Sequence, residues 1–157
     1  MPIIRASDAK IDAPAQAHPV LGRYTAKLFS DSGGLSQFGA FTETLSPGSK
    51  SSLRHWHATE DEMIFMLAGE VTLHEGSSIS PLYPGDSATF KAGVPLGHYL
   101  ENTSTADATY LVIGTRADCD VVTYPDHDCV LHFDRTTGAR RYVTLDGAPT
   151  TSPYDQS

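Results

Sequence analysis

The sequence predicts an all-β chain, a single barrel or sandwich of short strands. Two observations predict it. Runs rich in β-branched and aromatic residues recur about every ten residues, each closed by a Gly, Pro, Ser or Asp turn signal. No segment keeps apolar residues at spacings of three and four over a dozen positions, so little helix is expected. With 157 residues and 39% hydrophobic side chains, one domain with one core fits the length and composition.

The strand series begins with "GRYTAKLFS" before "DSGG", then "LSQFGAFTETL" before "SPGS". "DEMIFML" and "EVTLHEG" flank Ala68-Gly69, which reads as a two-residue hairpin turn. "SISPLY", "SATF", "HYLEN" and "ATYLVIGTR" complete the series, which defines a barrel over residues 21–118. Residues 1–20 carry three prolines and little periodicity. They read as an extended N-terminal arm suited to lying on a neighbouring subunit. Residues 119–157 hold two or three weaker strands and then a polar tail, expected as an extension packed on the barrel with its last eight or so residues loose.

Charge and cysteine content remove several function classes. The net charge of −8 repels phosphate backbones and anionic lipid, so neither nucleic acid nor membrane is an expected partner. Cys119 and Cys129 are too few for a disulfide framework and form no CxxC metal or redox pattern. No apolar run reaches the ~18 residues of a membrane span, and no secretory leader pattern opens the chain. A cytoplasmic location is the expectation.

Chemistry concentrates in Ser46 to Glu70, "SPGSKSSLRHWHATEDEMIFMLAGE". On a strand, residues two apart face the same way, ~6.6 Å apart. His55 and His57 therefore project together, close enough for both imidazoles to reach one ion. The polar "ATED" permits a chain reversal that brings Glu62 beside them from the next antiparallel strand. Glu62 borders the apolar "MIFML", where an unpaired carboxylate is costly. Glu60 and Asp61 read as solvated turn residues. A second unit, "PGDSATFKAGVPLGHYLEN", repeats a Pro-Gly turn, a strand and a histidine. It offers His98 as a fourth ligand, with Asn102 on the same face.

These residues resemble the two motifs of the cupin superfamily. Gly48, His55, His57, Glu62 and Gly69 follow the first motif, with six residues between Gly48 and His55 where five are usual. Gly85, Gly93, His98 and Asn102 resemble the second, with Lys91 in the place of a usual proline and two extra residues before His98. The resemblance implies a small single-domain cupin, a double-stranded β-helix or jelly roll, commonly a homodimer. It implies one divalent transition metal per chain (Mn, Fe, Ni or Zn) held by His55, His57, Glu62 and His98. Without His98, the remaining two histidines and one carboxylate resemble the facial triad of non-haem iron sites.

Such a site, N/O-rich and without thiolate, leaves positions open for a small oxygenated ligand. Three functions follow: a metal-dependent isomerase or lyase, a non-haem iron dioxygenase, or a non-catalytic binding or sensing module. Met66, Ile64 and Leu100 share the parity of the ligands on their strands and are candidates for the pocket wall. Tyr83, Tyr99 and Tyr110 are the candidates for proton transfer, though an ordinary Tyr pKa near 10 makes each a weak base. No residue is singled out as catalytic. His127 and His132 stand five apart beside acids and read as loop and strand-end histidines.

Overall fold

A computed structural model describes residues 3–155. The strands are β1 (Lys10–Asp12), β2 (Tyr24–Leu28), β3 (Phe38–Leu45), β4 (Trp56–His57), β5 (Glu62–Ala68), β6 (Val71–Glu75) and β7 (Ser78–Leu82). They continue with β8 (Ser87–Phe90), β9 (His98–Glu101), β10 (Ala108–Thr115), β11 (Cys119–Tyr124), β12 (Cys129–Asp134) and β13 (Ala139–Val143). Helix is confined to the four-residue α1 (Phe29–Ser32) and one 3₁₀ turn at Pro125–His127.

All strand pairs are antiparallel and form three sheets. The first has the order β1-β2-β3-β10-β5-β8, the second β7-β6-β9, and the third β13-β12-β11-β4. The inward residues of the first two meet in one core, with Leu45, Ile64, Met66, Tyr110 and Val112 from one sheet and Val71 and Leu100 from the other. Period-two alternation decides which residues these are. Along β10 every second side chain, Ala108, Tyr110 and Val112, is buried.

Ala68-Gly69 does not close a hairpin. Strand β5 pairs with β10 and β8, whereas β6 pairs with β7 and β9, so the turn carries the chain from one sheet to the other. Gly69 has φ 71°, and a Cβ there would sit 2.5 Å from the Asp107 carbonyl oxygen. Only glycine fits this corner. A local reading of two strands and a short turn cannot see that the core has room between two sheets.

The arm turns back on its own chain. β1 pairs with β2, Asp12 opposite Ala26, and His18 and Gly22 exchange backbone bonds of 2.8 and 2.9 Å. Beyond the barrel, β11–β13 pack around a second apolar cluster of Leu53, Val122, Tyr124, Cys129 and Leu131. The end of the chain is held, not loose, up to the last described residues. The Thr150 amide donates to the Tyr142 carbonyl, and Tyr154 packs edge-on against Tyr124. Residues 156 and 157 lie outside the described residues. Cys119 is exposed and Cys129 buried, both as free thiols.

Asn102 has a structural role. Wholly buried, it donates through its amide nitrogen to the carbonyls of Leu45 and Ala106, at 2.8 Å each, and accepts from the Ser104 amide and hydroxyl. It thereby satisfies the backbone where β9 turns into β10. Replacing it with leucine orphans those buried groups, so Asn102→Leu is expected to cost about 1–3 kcal/mol of stability. A urea midpoint equal to that of the wild type contradicts this role.

Candidate functional site

Strand pairing assembles the site from four places in the sequence. His55 and His98 form a two-way backbone bridge: the His55 amide donates at 3.3 Å, and the His98 amide donates back at 2.9 Å. Glu62 opens β5 beside them. His55, Glu62 and His98 bring one ligand atom each within 4.8 Å of one another, a group able to hold a metal ion. The His57 ring stands 5.0 Å from that of His55, centroid to centroid. It also belongs to a second such group, with Glu60 and Asp120.

Hydrogen bonds fix which nitrogens face a ligand. His55 Nδ1 lies 2.8 Å from the Leu53 carbonyl, a group that only accepts, so Nδ1 carries the proton and Nε2 keeps a free lone pair. His57 Nδ1 lies 2.6 Å from Asp120 Oδ2, with the same result. Asp120 is buried and also accepts from the Thr59 amide and hydroxyl at 3.0 and 2.7 Å. Burial opposes its ionisation, but the bonds from His57 and Thr59 outweigh burial and hold its carboxyl far below the usual carboxylate range. A buried carboxylate on Nδ1 fixes the imidazole's orientation and leaves Nε2 to face a ligand.

His98 is the residue most in need of a partner. Its ring lies flat on Phe90, centroids 3.5 Å apart, and both of its nitrogens are buried without a hydrogen bond. Glu62 Oε1 is 3.7 Å from Nε2, too long for a hydrogen bond. Two donors ~2.1 Å from one ion lie between ~3.0 Å apart at a right angle and ~4.2 Å apart when opposite. The observed spacing fits inside that range. An ion between them gives the orphaned nitrogen the partner it lacks.

Electrostatics keep the group ready to ligate. Burial, then the neighbouring His57 and His98, push His55 down to about 4, so it is neutral at pH 7. Burial works to raise Glu62, but His98, His55 and His57 outweigh it and keep the carboxylate ionised. His57 is the exception: burial lowers it, but the hydrogen bond and charge of Asp120 outweigh burial and raise it, so a ligated ion would compete there with a proton.

A cavity of about 180 Å³ adjoins this group, lined by His55, Glu62 and His98 and walled by Phe41, Ile64, Phe90, Leu100 and Val112. Of the three apolar candidates, Ile64 and Leu100 line it, while Met66 is plain core. Glu43 also lines the cavity, with 9% of its surface exposed. The Tyr110 hydroxyl donates to its Oε2. Burial above all, with the charges of Glu62 and Asp12, raises Glu43 to about 7 against the lowering bond from Tyr110. Tyr110, raised well above 10 by burial and by Glu43, stays protonated. Tyr83 is half exposed, and Tyr99 stacks on His74 with centroids 4.4 Å apart.

Of the two turn acids, Asp61 is exposed as expected, whereas Glu60 is largely shielded from solvent. Glu60 accepts from Arg135 at 2.6 Å and from the Ala117 amide at 2.9 Å, and Asp61 accepts from the Ala92 amide at 2.8 Å. Both tie the β4–β5 corner to distant segments that a turn reading cannot see. Glu43 and Asp120 were not foreseen. Glu43 does leave a signal, as a charge at an inward position between Phe41 and Leu45. His127 and His132 join no group able to hold a metal among the described residues.

Comparison with known proteins bears on the same region. A family model described as a cupin domain matches residues 41–114. The structure superposes with TM-score 0.86 on a protein from Silicibacter pomeroyi described as a sugar phosphate isomerase from a cupin superfamily. The two are 33% identical over 96% of this chain and 98% of the other. The chain belongs to the cupin superfamily. A proposed sugar phosphate isomerase from Acidithiobacillus ferrooxidans is 27% identical to this cupin, over 96% of each chain, with TM-score 0.82. A polyketide cyclase from Streptomyces resistomycificus, 17% identical over 74% of this chain and 80% of its own, shares the fold with TM-score 0.61. No curated protein sequence matches significantly. No helix of this cupin, among the described residues, is long and apolar enough to cross a membrane.

Glu43 gives a pH dependence whose sign is fixed. Its folded pKa, about 7, lies above the unfolded value near 4.3. The associated stability is therefore complete below pH ~4.3 and lost as pH rises through ~7. Glu43→Gln cannot ionise and escapes this loss. Its urea midpoint should gain on the wild type between about pH 5 and pH 8, by up to roughly 3 kcal/mol in unfolding free energy. A gap that stays constant across that interval rules out the raised carboxyl.

Proposed function

We propose that this cupin is a metal-dependent isomerase of small sugars, interconverting an aldose and a ketose. One observation carries the reading. A single cavity is lined both by His55, Glu62 and His98 and by the Glu43–Tyr110 pair, whose carboxyl has a pKa of about 7. The two similar proteins described as sugar phosphate isomerases support the same reaction class.

The residues His55, His57, Glu62 and His98 would hold a divalent transition metal, a donor set of imidazole and carboxylate that suits Mn, Fe, Ni or Zn. When bound, such an ion polarises a carbonyl and its neighbouring hydroxyl. Isomerisation moves one proton from a carbon to the adjacent carbon and one from hydroxyl to carbonyl oxygen, leaving the formula unchanged. Glu43 takes the carbon-bound proton and returns it one carbon along, and a pKa of about 7 suits both directions at neutral pH. Tyr110 donates to Glu43 and fixes its orientation. The walls of Phe41, Ile64, Phe90, Leu100 and Val112 make the surroundings of the base apolar.

Two histidines and one carboxylate in a single group also match the ligand type of non-haem iron oxygenases. The identity of the metal decides between the two reactions. Metal analysis of tag-free protein is expected to find about one ion per chain, lost in His57→Ala and in His98→Ala. Asp120→Asn should keep the ion but bind it about 10–100-fold more weakly, measured by chelator competition. Retention of full metal by His98→Ala removes that histidine from the site.

The isomerase reaction is tested by solvent deuterium exchange into dihydroxyacetone. With the metal bound, exchange into carbon-bound positions is expected, and Glu43→Gln should slow it about 10²–10⁴-fold. Tyr110→Phe should slow it less, since it removes the positioning of the base and not the base. Unchanged exchange in Glu43→Gln disproves its role.

A further inference from the structure

We infer that the substrate site continues beyond the inner cavity into a second chamber under the N-terminal arm, and that this chamber takes an uncharged, polyhydroxylated group, not a phosphate. The inference rests on the isomerase reading and names its substrate class.

The chamber, about 450 Å³, is lined by Asp12, Pro14, His18 and Leu21 of the arm, by Tyr24, Ala26 and Leu28 of β2, and by Tyr154 near the C-terminus. Phe41, Glu43 and Ser51 line both this chamber and the inner cavity. Glu43 thus borders both spaces, so a substrate held at Glu43 would extend its remainder under the arm.

Most of these walls lie outside residues 41–114, the part shared with the family model, and they are held in place. Asp12 is registered opposite Ala26. His18 Nδ1 accepts from the amides of Val20 and Leu21 at 3.1 and 3.2 Å, so its proton sits on Nε2 as a free donor. The Tyr154 hydroxyl accepts from the Leu53 amide at 3.3 Å, and its ring meets His18 edge-on.

The lining chemistry selects the ligand. Tyr24, Phe41 and Tyr154 supply aromatic surface for the C–H face of a sugar ring. Asp12, Ser51 and the His18 N–H supply acceptors and a donor for hydroxyls. Among the described residues, neither space is lined by lysine or arginine, the side chains that recognise phosphate. Asp12 instead presents negative charge to the chamber, which repels a phosphate dianion.

Calorimetry on the metal-loaded full chain, with D-glucose, D-fructose and D-mannose and the 6-phosphate of each, tests this. Each free sugar is expected to bind at least tenfold more tightly than its phosphate. Asp12→Lys should narrow that gap, and Tyr154→Leu should weaken the free sugars at least tenfold without changing binding of three-carbon dihydroxyacetone. Tyr154→Phe keeps the ring and its packing, and should bind like the wild type. Phosphates that bind as tightly as their parents, sugars indifferent to both variants, or no sugar binding at all each overturn the chamber. Deuterium exchange into dihydroxyacetone is scored separately. Its absence alongside the expected sugar binding defeats the isomerase reading and leaves the chamber standing. Exchange accompanied by a preference for phosphates does the reverse.

Discussion

The structure depends on the backbone bridge between His55 and His98. Two amides exchange bonds across it, and two imidazoles are delivered to one point by the same contact. Everything around the bridge serves to hold it. Phe90 lies flat against His98, β6 pairs with β9 from behind, and Asn102 locks the turn at the far end of β9. The cost is a ring with two buried, unbonded nitrogens. A fold tolerates such a group where a ligand supplies the missing partner.

The C-terminal extension is part of the site and not an appendage to it. The two-residue β4 pairs with β11, His57 opposite Val122, so the extension provides the ladder that makes this stretch a strand. Two residues earlier on β11, Asp120 reaches the His57 ring. Arg135 holds Glu60 at the next corner. The histidine pair is thus oriented by a sheet that lies outside the barrel proper.

Opposite the histidines, the barrel buries a carboxyl and a phenol together. Burial drives both toward their neutral forms, and the bond between them keeps the phenol protonated while the carboxyl titrates near neutrality. A group poised to gain or lose a proton near pH 7 therefore lines the same cavity as a group able to hold a cation. Apolar side chains wall the cavity that both groups line.

The sequence by itself determined the all-β class, most strand positions and the candidacy of His55, Glu62 and His98, which the structure brings together, because strand alternation and paired motifs are local signals. Tertiary structure decided what local signals cannot carry. Whether Ala68-Gly69 closes a hairpin or changes sheets depends on the thickness of the core. Whether Glu60 meets water depends on Arg135, which lies 75 positions away along the chain. The roles of Glu43 and Asp120 arise only when β3 faces β10 and β11 meets β4. A carboxylate's environment is made by its neighbours in space, and in an antiparallel barrel most of those come from elsewhere in the chain.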